Sequence, residues 1–367
     1  MKFSCSRSEL SDALNNVTRA VAIKTTHPAM EGVLLVAKEG TLTLSCYNLE
    51  LGIKTYMDIN VKEEGAIVLN AKLFFDMVRR LPTDIIEIES DEKFITKIKG
   101  GNAEYNIIGI DPEEFPEVPS VSEKIHFTIA PETLKSMIEQ TIFAVAVNDF
   151  KPVHTGSKIV IEDHVMTMVS VDGFRLAIRK EQVSYHDALE FIVPGKTLGE
   201  VAKLLEGEED VLCALSEKHV IFRIGKYDVV SRLLEGEFID YKSSIPNTEN
   251  TVVEVNVKDL LSSIDRTTLL INDRLKSPIH VTIEDGEIKI SCSTAIGKIN
   301  DTVPCDMKGE AITMGFNNRY LLEALRATGC DRVKMIINSQ LSPVKIVPLE
   351  GESFLFLVLP VRMRAEV

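Results

Sequence analysis

Residues 233–241 read LLEGEFIDY, and residues 108–118 read IGIDPEEFPEV. Both stretches place a glycine and acidic residues ahead of an aromatic side chain, Phe238 in the first and Phe115 in the second. The two phenylalanines are 123 residues apart in a chain of 367 residues. A chain of this length is expected to hold two or three domains. The similarity of the two stretches therefore predicts a repeated unit, with Phe115 and Phe238 each anchoring the chain as it leaves one copy.

Other segments recur with nearly the same spacing. Pro28, Pro152 and Pro278 each precede a strand-like alternation of apolar and polar residues. Paired strands around a tight turn are predicted at 40–54, 164–180 and 286–301. Helices are predicted before these pairs at 8–20, 131–146 and 257–270, and after them at 70–82, 194–206 and 317–329. Each unit closes on strands, predicted at 85–110, 210–234 and 332–361.

The order helix, strands, helix, strands occurs three times and accounts for the whole chain. Polar, proline-containing stretches at 118–126 and 246–251 are typical of linkers. We therefore predict three domains, at 1–122, 123–250 and 251–367. The fold class is α+β, with two helices of each domain packed against one face of antiparallel sheets. Repeats that bury a face against their neighbours build arcs or closed rings.

Composition excludes several classes of protein. The chain is 45% hydrophobic and 26% charged, with a net charge of -14, which argues against a generally basic nucleic-acid coat protein. The N-terminal MKFSCSRSEL lacks a signal-peptide core, and no apolar run is long enough for a transmembrane helix. The six cysteines lack zinc-like spacing and predict buried, reduced thiols in a cytoplasmic protein.

The helices carry cations at equivalent positions of the repeat. The pairs are seven residues apart, so both members share a helix face: Lys72 with Arg79, Lys196 with Lys203, and Arg319 with Arg326. One such pair is typical of a solvated helix surface, since Lys and Arg favour helices. Three equivalent pairs in an acidic chain favour a cationic face that contacts phosphates without reading sequence.

Catalysis has little support in the sequence. Nucleotide-binding, metalloprotease and serine-hydrolase motifs are absent. The histidines do not follow a metal-ligand spacing, and His186 beside Asp187 is predicted to be a surface pair. We therefore predict no catalytic residue, no metal and no cofactor. An enzyme that holds an anionic substrate on the same basic face remains the alternative, as does a peptide-binding scaffold that does not use DNA.

The ordered motifs resemble those of the bacterial sliding clamps, the β subunits of DNA polymerase III. The resemblance runs from MKF at the start through HPAMEGVLL, VDGFRLA, EGEFIDY and GFNNRYLLEAL to VLPVRMR near the end. It implies the DNA-clamp fold and a head-to-tail homodimer that forms a ring of six domains. Duplex DNA would pass through the ring, held without sequence preference. The partners implied are the polymerase III alpha subunit, the clamp loader and other proteins with a clamp-binding motif, and no membrane.

The resemblance also assigns sites residue by residue. Implied DNA contacts, beside the cation pairs above, are Lys24, Lys72, Asn148, Pro152 and Val153. Dimer contacts implied are Leu73, Tyr105 and Ile107 against Leu269 and Leu270. Asp172 falls in the family pattern TDGHRL, which reads VDGFRL here at 171–176.

A docking pocket for short peptides is implied between the second and third domains. An apolar cleft with a few polar anchors suits a peptide with leucine and phenylalanine side chains. Its predicted members are His154, Val171, Gly173, Phe174, Arg175, Leu176, Ile239, Ser243, Ser244, Asn317, Tyr320, Pro343, Val344, Leu357, Leu359, Pro360, Val361 and Arg362. Val171, Phe174 and His154 differ from the residues usual in the family, which leaves the peptide preference open. Without the wider match, VDGFRL would be an ordinary hairpin turn.

Overall fold

A computed structural model describes residues 1–23, 25–121, 125–148, 151–271 and 277–362 of the chain. Six α-helices lie in these ranges: α1 (Arg7–Val17), α2 (Ala71–Arg80), α3 (Pro131–Glu139), α4 (Gly195–Leu204), α5 (Val257–Thr267) and α6 (Asn318–Ala327). They confirm the six predicted helices, each a few residues shorter than its amphipathic segment. The difference arises because the segments include the caps and the short 3-10 turns that follow α1 and α3.

Polar caps fix where several helices begin. The side chain of Ser6 accepts a hydrogen bond from the backbone of Glu9, at the start of α1. Asn70, Asn256 and Asn317 cap α2, α5 and α6 in the same way. Such side chains satisfy backbone N–H groups that have no partner within the helix. The recurrence of an asparagine cap before α2 and α6 reflects the repeat in the sequence.

Twenty-five strands lie in the described part of the chain, all paired antiparallel. They are β1 (Lys2–Ser6), β2 (Gly32–Lys38), β3 (Thr41–Tyr47), β4 (Leu51–Asp58), β5 (Asn60–Glu63), β6 (Gly65–Asn70), β7 (Ile85–Ser90), β8 (Ile95–Gly100), β9 (Ala103–Ile108), β10 (Ile125–Ile129), β11 (Gly156–Glu162), β12 (Val165–Val171), β13 (Arg175–Gln182), β14 (Leu189–Pro194), β15 (Val211–Leu215), β16 (His219–Ile224), β17 (Tyr227–Arg232), β18 (Thr251–Asn256), β19 (Ile279–Glu284), β20 (Glu287–Thr294), β21 (Gly297–Gly309), β22 (Ile312–Phe316), β23 (Arg332–Ile337), β24 (Val344–Val347) and β25 (Phe354–Val358).

The chain divides into two compact units, and the division falls inside α3 and α4. The first unit comprises Met1–Glu132 and Gly199–Leu233. It contains a five-stranded sheet in the order β5-β1-β7-β8-β9 and an eight-stranded sheet in the order β10-β15-β16-β17-β4-β3-β2-β6. Helices α1 and α2 pack on each other, and α1 also packs on β3 and β4. Apolar side chains such as Leu10, Leu44 and Phe74 are fully buried between these layers.

The second unit comprises Thr133–Leu198 and Leu234–Val367. Its twelve strands form one sheet in the order β14-β11-β12-β13-β25-β24-β23-β18-β21-β20-β19-β22. The long strand β21 changes partner along its length: Gly297–Pro304 pair with β20, and Cys305–Gly309 pair with β18. Helices α5 and α6 cover a continuous apolar core that includes Val255, Ile290 and Phe356. The core supports α6 at the positions that face away from its cations.

At the end of each repeat, the chain crosses from the last strand to the edge of the repeat's other sheet. After the last strand, the backbone turns back and hydrogen-bonds to the edge of the repeat's other sheet. The pairs are Val68 with Ile110, Ile192 with Leu234, and Gly315 with Val361. Phe115 and Phe238 follow the first two returns and are buried, 8% and 7% exposed. The predicted anchoring by these phenylalanines is confirmed, and it explains why the two quoted stretches are alike.

Candidate functional site

The cations at equivalent helix positions are all exposed. In α2, Lys72 and Arg79 lie on the face opposite the buried Ala71, Phe74 and Val78. Lys196 and Lys203 of α4, and Arg319 and Arg326 of α6, are exposed in the same manner. The seven-residue spacing therefore places both cations of each helix on one solvent-facing side, as predicted. Each of these helices therefore offers two exposed cations to a polyanion.

Several of these cations already contact acidic neighbours. Lys203 lies 2.9 Å from Glu200, and Arg319 lies 2.7 Å from Glu323 on the same helix. Arg326 lies 3.1 Å from Asp265. Exposed ion pairs contribute only about 0–1 kcal/mol and are screened by salt. These contacts therefore orient the cations without neutralising them strongly. Replacing the carboxylate partner by a phosphate would cost little free energy.

The loop positions predicted to contact DNA have mixed environments. Asn148 and Pro152 are exposed, as a contact with an external ligand requires. Val153 is only 4% exposed and packs in an apolar cluster with Val169 and Phe238. The expectation of a DNA contact through the Val153 side chain is therefore corrected: the side chain supports the loop from within. Lys24 lies outside the described residues.

Buried apolar residues of the second unit form the floor of the predicted peptide pocket. Val171, Leu176 and Leu357 belong to one cluster on the sheet face formed by β12, β13 and β25. Leu176 lies directly opposite Leu357 across the pair β13–β25. Four other predicted pocket members are large apolar side chains that are substantially exposed: Phe174 (57%), Ile239 (44%), Leu359 (39%) and Val361 (42%). Exposed apolar side chains grouped over an apolar floor are typical of an interaction site.

A tight turn brings the walls of the pocket together. The Asp172 carboxylate accepts hydrogen bonds from the backbone N–H groups of Phe174 and Arg175, at 2.9 and 2.8 Å. Gly173 has φ +85°, a conformation that glycine adopts without strain. The hairpin turn expected from the Asp-Gly pair is thus present. The backbone of Leu359 donates to the carbonyl of Phe174 at 2.9 Å, which joins the C-terminal wall to this turn.

Arg175 is the polar centre behind the pocket. Its side chain is 7% exposed, and its Nε and Nη2 atoms donate to Asp172 at 3.0 and 2.8 Å. Nη1 donates to Glu323 of α6. The guanidinium also lies over the rings of Tyr320 and Phe143, 4.4 and 5.7 Å from their centroids. A buried arginine stabilises the fold only when carboxylates pair with it, so this network rigidifies the wall of the pocket.

The network adds two residues that sequence reasoning did not assign to the site. Phe143 and Glu323 contact Arg175 but were not predicted for the pocket, whereas Asp172 belongs to the VDGFRL pattern that was. Glu323 had a detectable signal, because Asp76 and Glu200 occupy the equivalent positions of the other repeats. Phe143 had none, since an aromatic residue just after a helix reads as ordinary core.

The remaining predicted pocket members differ in their contacts and exposure. Tyr320 stacks on Phe174, with ring centroids 5.8 Å apart. His154 packs edge-on against the Phe238 ring at 5.8 Å. Asn317 is occupied as the cap of α6, and the Ser243 hydroxyl donates to the carbonyl of Asp240. Ser244 and Arg362 are exposed, whereas Pro343 and Pro360 are half-buried.

Val344 does not belong to the pocket. It is completely buried in the core on the helix-covered side of the sheet, together with Ile346. Alternation along β24 turns Lys345, not Val344, to the other face. The prediction for Val344 is therefore wrong. Leu341, in the loop before β24, is 70% exposed and is the apolar side chain of this hairpin that remains available to a ligand.

The equivalent surface of the first repeat is filled by its own side chains. Tyr47 and Gly52 occupy the positions of Val171 and Leu176. A Cβ atom at Gly52 would lie 3.1 Å from the Tyr47 ring and 3.4 Å from Val118. Tyr47 is 5% exposed, and its hydroxyl donates to the carbonyl of Leu49. The tyrosine thus covers the space that the second repeat leaves open above Leu176.

The predicted dimer contacts lie at strand edges and helix ends of the two units. In the first unit, Leu73 is 47% exposed, and Tyr105 and Ile107 are half-buried on β9, an edge strand. In the second unit, Leu269 is 81% exposed and Leu270 is half-buried. Two further exposed apolar residues accompany them: Ile108 on β9 (83%) and Ile296 before β21 (66%). Sequence reasoning missed both, since isoleucine in or next to a strand reads as core.

The described residues offer no sign of a metal or redox centre. No group of three or more His, Cys, Asp or Glu side chains in this part of the chain could hold a metal ion. All six cysteines are free, four of them buried, and His186 and Asp187 form an exposed pair as predicted. Within the same residues, no helix is long and apolar enough to span a membrane.

Three family models match successive parts of the chain. The model described as DNA polymerase III beta subunit, N-terminal domain, matches residues 1–119. Those described as its central and C-terminal domains match residues 128–240 and 242–362. The chain belongs to the DNA polymerase III beta subunit family. The three repeats and the family resemblance expected from the sequence are confirmed.

Curated relatives of this family are similar over their full length. A relative named Beta sliding clamp from Halalkalibacterium halodurans is 32% identical, covering 99% of this chain and 100% of the relative. The Beta sliding clamp of Bacillus subtilis is 29% identical, with 99% and 100% covered. The similarity therefore includes all three repeats and the turns between them.

Solved structures agree with the fold. A DNA polymerase III beta subunit structure from Eubacterium rectale is 36% identical, with a TM-score of 0.94 over 98% of this chain and 99% of that one. The Bacillus subtilis DNA polymerase sliding clamp gives a TM-score of 0.95 at 29% identity over 99% and 100%. A Pseudomonas aeruginosa sliding clamp solved with griselimycin bound gives 0.92 at 26% identity, over 99% and 100%. The α+β fold of three clamp domains follows.

Proposed function

We propose that this protein is a DNA sliding clamp, a non-catalytic processivity factor that encircles duplex DNA and tethers the replicative polymerase. The observation that carries the proposal is the array of exposed cations at equivalent positions of α2, α4 and α6 in a member of this family. Cationic contacts with phosphates are numerous, weak and independent of base sequence. A protein that is linked topologically to DNA can therefore slide on them. Lys24, Asn148 and Pro152 are proposed as further contacts.

Pairing of strands between neighbouring repeats supports a closed homodimer. The last strand of the second repeat, β17, pairs with β4 of the first. The last strand of the third repeat, β25, pairs with β13 of the second. By the same rule, β9 of the first repeat pairs with Gly297–Pro304 of β21 in a second copy of the chain. Two copies joined twice in this way form a ring with no unpaired junction.

The internal junctions also predict the register of the proposed one. Val229 lies opposite Ile53 in the pair β17–β4. Tyr105 and Ile299 occupy the equivalent positions, because the hairpins β8–β9 and β20–β21 align with β16–β17 and β3–β4. Tyr105 of one copy then faces Ile299 of the other. The same register brings the exposed Ile108 opposite the exposed Ile296.

The repeat also predicts which residues at the helix ends meet at the proposed junction. In the second unit, Tyr320 and Phe143 both contact Arg175 and are therefore neighbours. Leu73 occupies the repeat position of Tyr320, and Leu269 that of Phe143. Leu73 of one copy is thus proposed to meet Leu269 of the other, with Leu270 and Ile107 beside them. Burial of these exposed apolar side chains supplies a driving force for the dimer.

Docking of partner proteins is proposed to use the apolar cleft around Leu176 and Leu357. A floor of buried aliphatic residues beneath the exposed Phe174, Ile239 and Leu359 suits a short peptide with leucine and phenylalanine side chains. The proposed partners are the polymerase III alpha subunit, the clamp loader and other proteins with a clamp-binding motif. The proposed domains remain 1–122, 123–250 and 251–367, and the proposed location is the cytoplasm.

Alanine at Arg79, Lys203 and Arg326 tests the cationic face. The triple variant is expected to keep its fold and to dissociate from DNA faster after loading. The log–log slope of its DNA binding against salt should also become shallower, by roughly 0.9 for each phosphate that the variant no longer neutralises. The measurement is retention on circular DNA between 50 and 200 mM salt, about the range over which phosphate binding weakens strongly.

The matched control removes three exposed lysines from strands and their turns, one per repeat: Lys62, Lys218 and Lys308. The overall charge change is the same, so a general electrostatic effect would affect both variants equally. An equal fall in retention for the two variants would contradict a contact made by the helix faces. Turnover of a small anionic substrate that depended on the same three cations would instead favour an enzyme.

A further inference from the structure

A second depression lies beside the docking cleft, in the same unit. Its volume is about 550 Å³, within the range of sites that bind small molecules or peptide segments. The apolar part of its lining includes Ile178, Tyr241, Ile245, Ile336 and Leu355. This groove takes no part in the proposed DNA contacts, dimer junction or docking cleft.

The groove continues the floor of the docking cleft across the sheet. Leu176 pairs with Leu357, Leu357 pairs with Lys345, and Lys345 pairs with Ile336. Side chains directly opposite one another on antiparallel strands share a face and lie about 5 Å apart. The first two residues of this row form the cleft floor, and the last two line the groove. One unbroken surface therefore runs from the cleft into the groove.

Some lysines that line the groove pair with carboxylates, and others do not. Lys345 lies 3.2 Å from Glu249, and Lys180 lies 3.8 Å from Glu352. Two further lysines of the lining, Lys242 and Lys334, make no ion pair with any residue in the described part of the chain. Lys242 is exposed, whereas Lys334 is half-buried opposite Glu254 on β18, and Glu162 is a further carboxylate of the lining. The groove therefore presents an apolar floor with two lysines within reach of an external carboxylate.

We propose that the groove binds the stretch of a partner peptide that continues beyond the motif held in the docking cleft. It accepts an aliphatic or aromatic side chain on the Ile178–Leu355 floor and carboxylates at Lys242 and Lys334. From β13 to β23 the row crosses three strand spacings, about 14 Å, which about four extended residues would span. This inference rests on the proposed function, because the motif in the cleft holds the extension in place.

The test compares three fluorescein-labelled peptides by anisotropy with the full chain. One is a five-residue core with leucine and phenylalanine, and the others extend it by Ile-Ser-Glu-Glu at the carboxyl or the amino end. One of the two extended peptides is expected to bind about tenfold tighter than the core. Replacing Glu-Glu by Gln-Gln should remove most of the gain, as should raising the salt concentration.

Variants of the groove lysines test whether the gain in peptide affinity arises in the groove. The double variant Lys242→Glu with Lys334→Glu should bind the core peptide normally and lose the advantage of the extended one. Lys308→Glu, an exposed lysine of β21 outside the groove, should retain that advantage. A gain that survives the double variant would overturn the inference.

The outcomes also separate this inference from the proposed function. Binding of the core peptide with no gain from either extension would overturn the groove proposal and leave peptide docking intact. Failure of every peptide to bind would contradict docking in the cleft, and the groove proposal would fall with it. Loss of the gain when inorganic phosphate replaces chloride at constant ionic strength would assign the groove to simple anions and overturn peptide recognition.

Discussion

At the scale of single residues, the buried charge of Arg175 organises the proposed docking cleft. Arg175 is nearly inaccessible to solvent, yet two carboxylates and two aromatic rings surround it. Asp172 both caps the turn that presents Phe174 and pairs with this guanidinium. The shape of the cleft wall therefore depends on a polar network behind it, and not only on the apolar side chains that a peptide would touch.

Arg175→Ala is expected to destabilise the second unit by about 3 kcal/mol, because it leaves Asp172 and Glu323 without their common cation. It should also weaken binding of the core peptide. The measurement is the urea midpoint followed by circular dichroism. Arg362→Ala, at an exposed position, should stay within about 0.5 kcal/mol. An unchanged midpoint for Arg175→Ala would contradict a structural role for the network.

The cysteines predict a graded reaction with thiol reagents. Burial raises the pKa of Cys5 to about 12 and raises the pKa of Cys46 and Cys213 further in the same direction. Cys305 and Cys330 are half-buried, and desolvation with nearby carboxylates raises their pKa as well. At pH 8 the native protein should therefore react slowly, at Cys305 and Cys330 first, and faster as pH rises. Mass spectrometry that finds Cys46 or Cys213 labelled before unfolding would contradict the packing.

At the scale of elements, unpaired strand edges determine where the chain can pair with a second copy. β9 ends its sheet, and Gly297–Pro304 of β21 pair with β20 alone among the described strands. An edge strand with exposed Ile108 invites pairing with another chain. The internal pairs β17–β4 and β25–β13 show how such edges are satisfied in this fold.

Cysteine cross-linking tests the register of the proposed junction. A chain with Ile108→Cys and Ile296→Cys should form a covalent dimer under mild oxidation, since opposite residues approach closely enough for a disulfide. A chain with Ile108→Cys and Lys298→Cys, two residues out of register, should cross-link far less. Equal cross-linking of the two chains, measured on denaturing gels, would contradict the register.

The sequence predicted elements better than it predicted side-chain direction. Helices and strand pairs followed from periodicity that recurs three times, so each copy supported the others. Val344 was assigned to the cleft and Val153 to DNA, but both point into cores. For Val344, a one-residue change of register reverses the face of the strand, and no local pattern fixes it. Val153 lies in a short 3-10 turn, Pro152–Thr155, where no strand period indicates the direction of a side chain. Leu341, Ile108 and Ile296 were missed because exposed and buried aliphatic residues look the same in a sequence.

At the scale of the whole molecule, the net charge and the helix cations have opposite effects on the binding of DNA. A net charge of -14 would repel DNA from most of the surface, whereas the cations of α2, α4 and α6 are proposed to attract it locally. Weak, uniform contacts favour sliding, and closure of the proposed dimer prevents escape. Retention on DNA would then depend on topology more than on affinity.

The most direct test is retention on closed circular DNA compared with the same DNA linearised, after loading by the cognate loader with ATP. We expect the protein to stay on circles and to run off free ends, with a lifetime on circles that falls when the proposed β9–β21 junction is weakened. Dissociation at equal rates from circular and linear DNA would show that the link is not topological and would contradict the clamp.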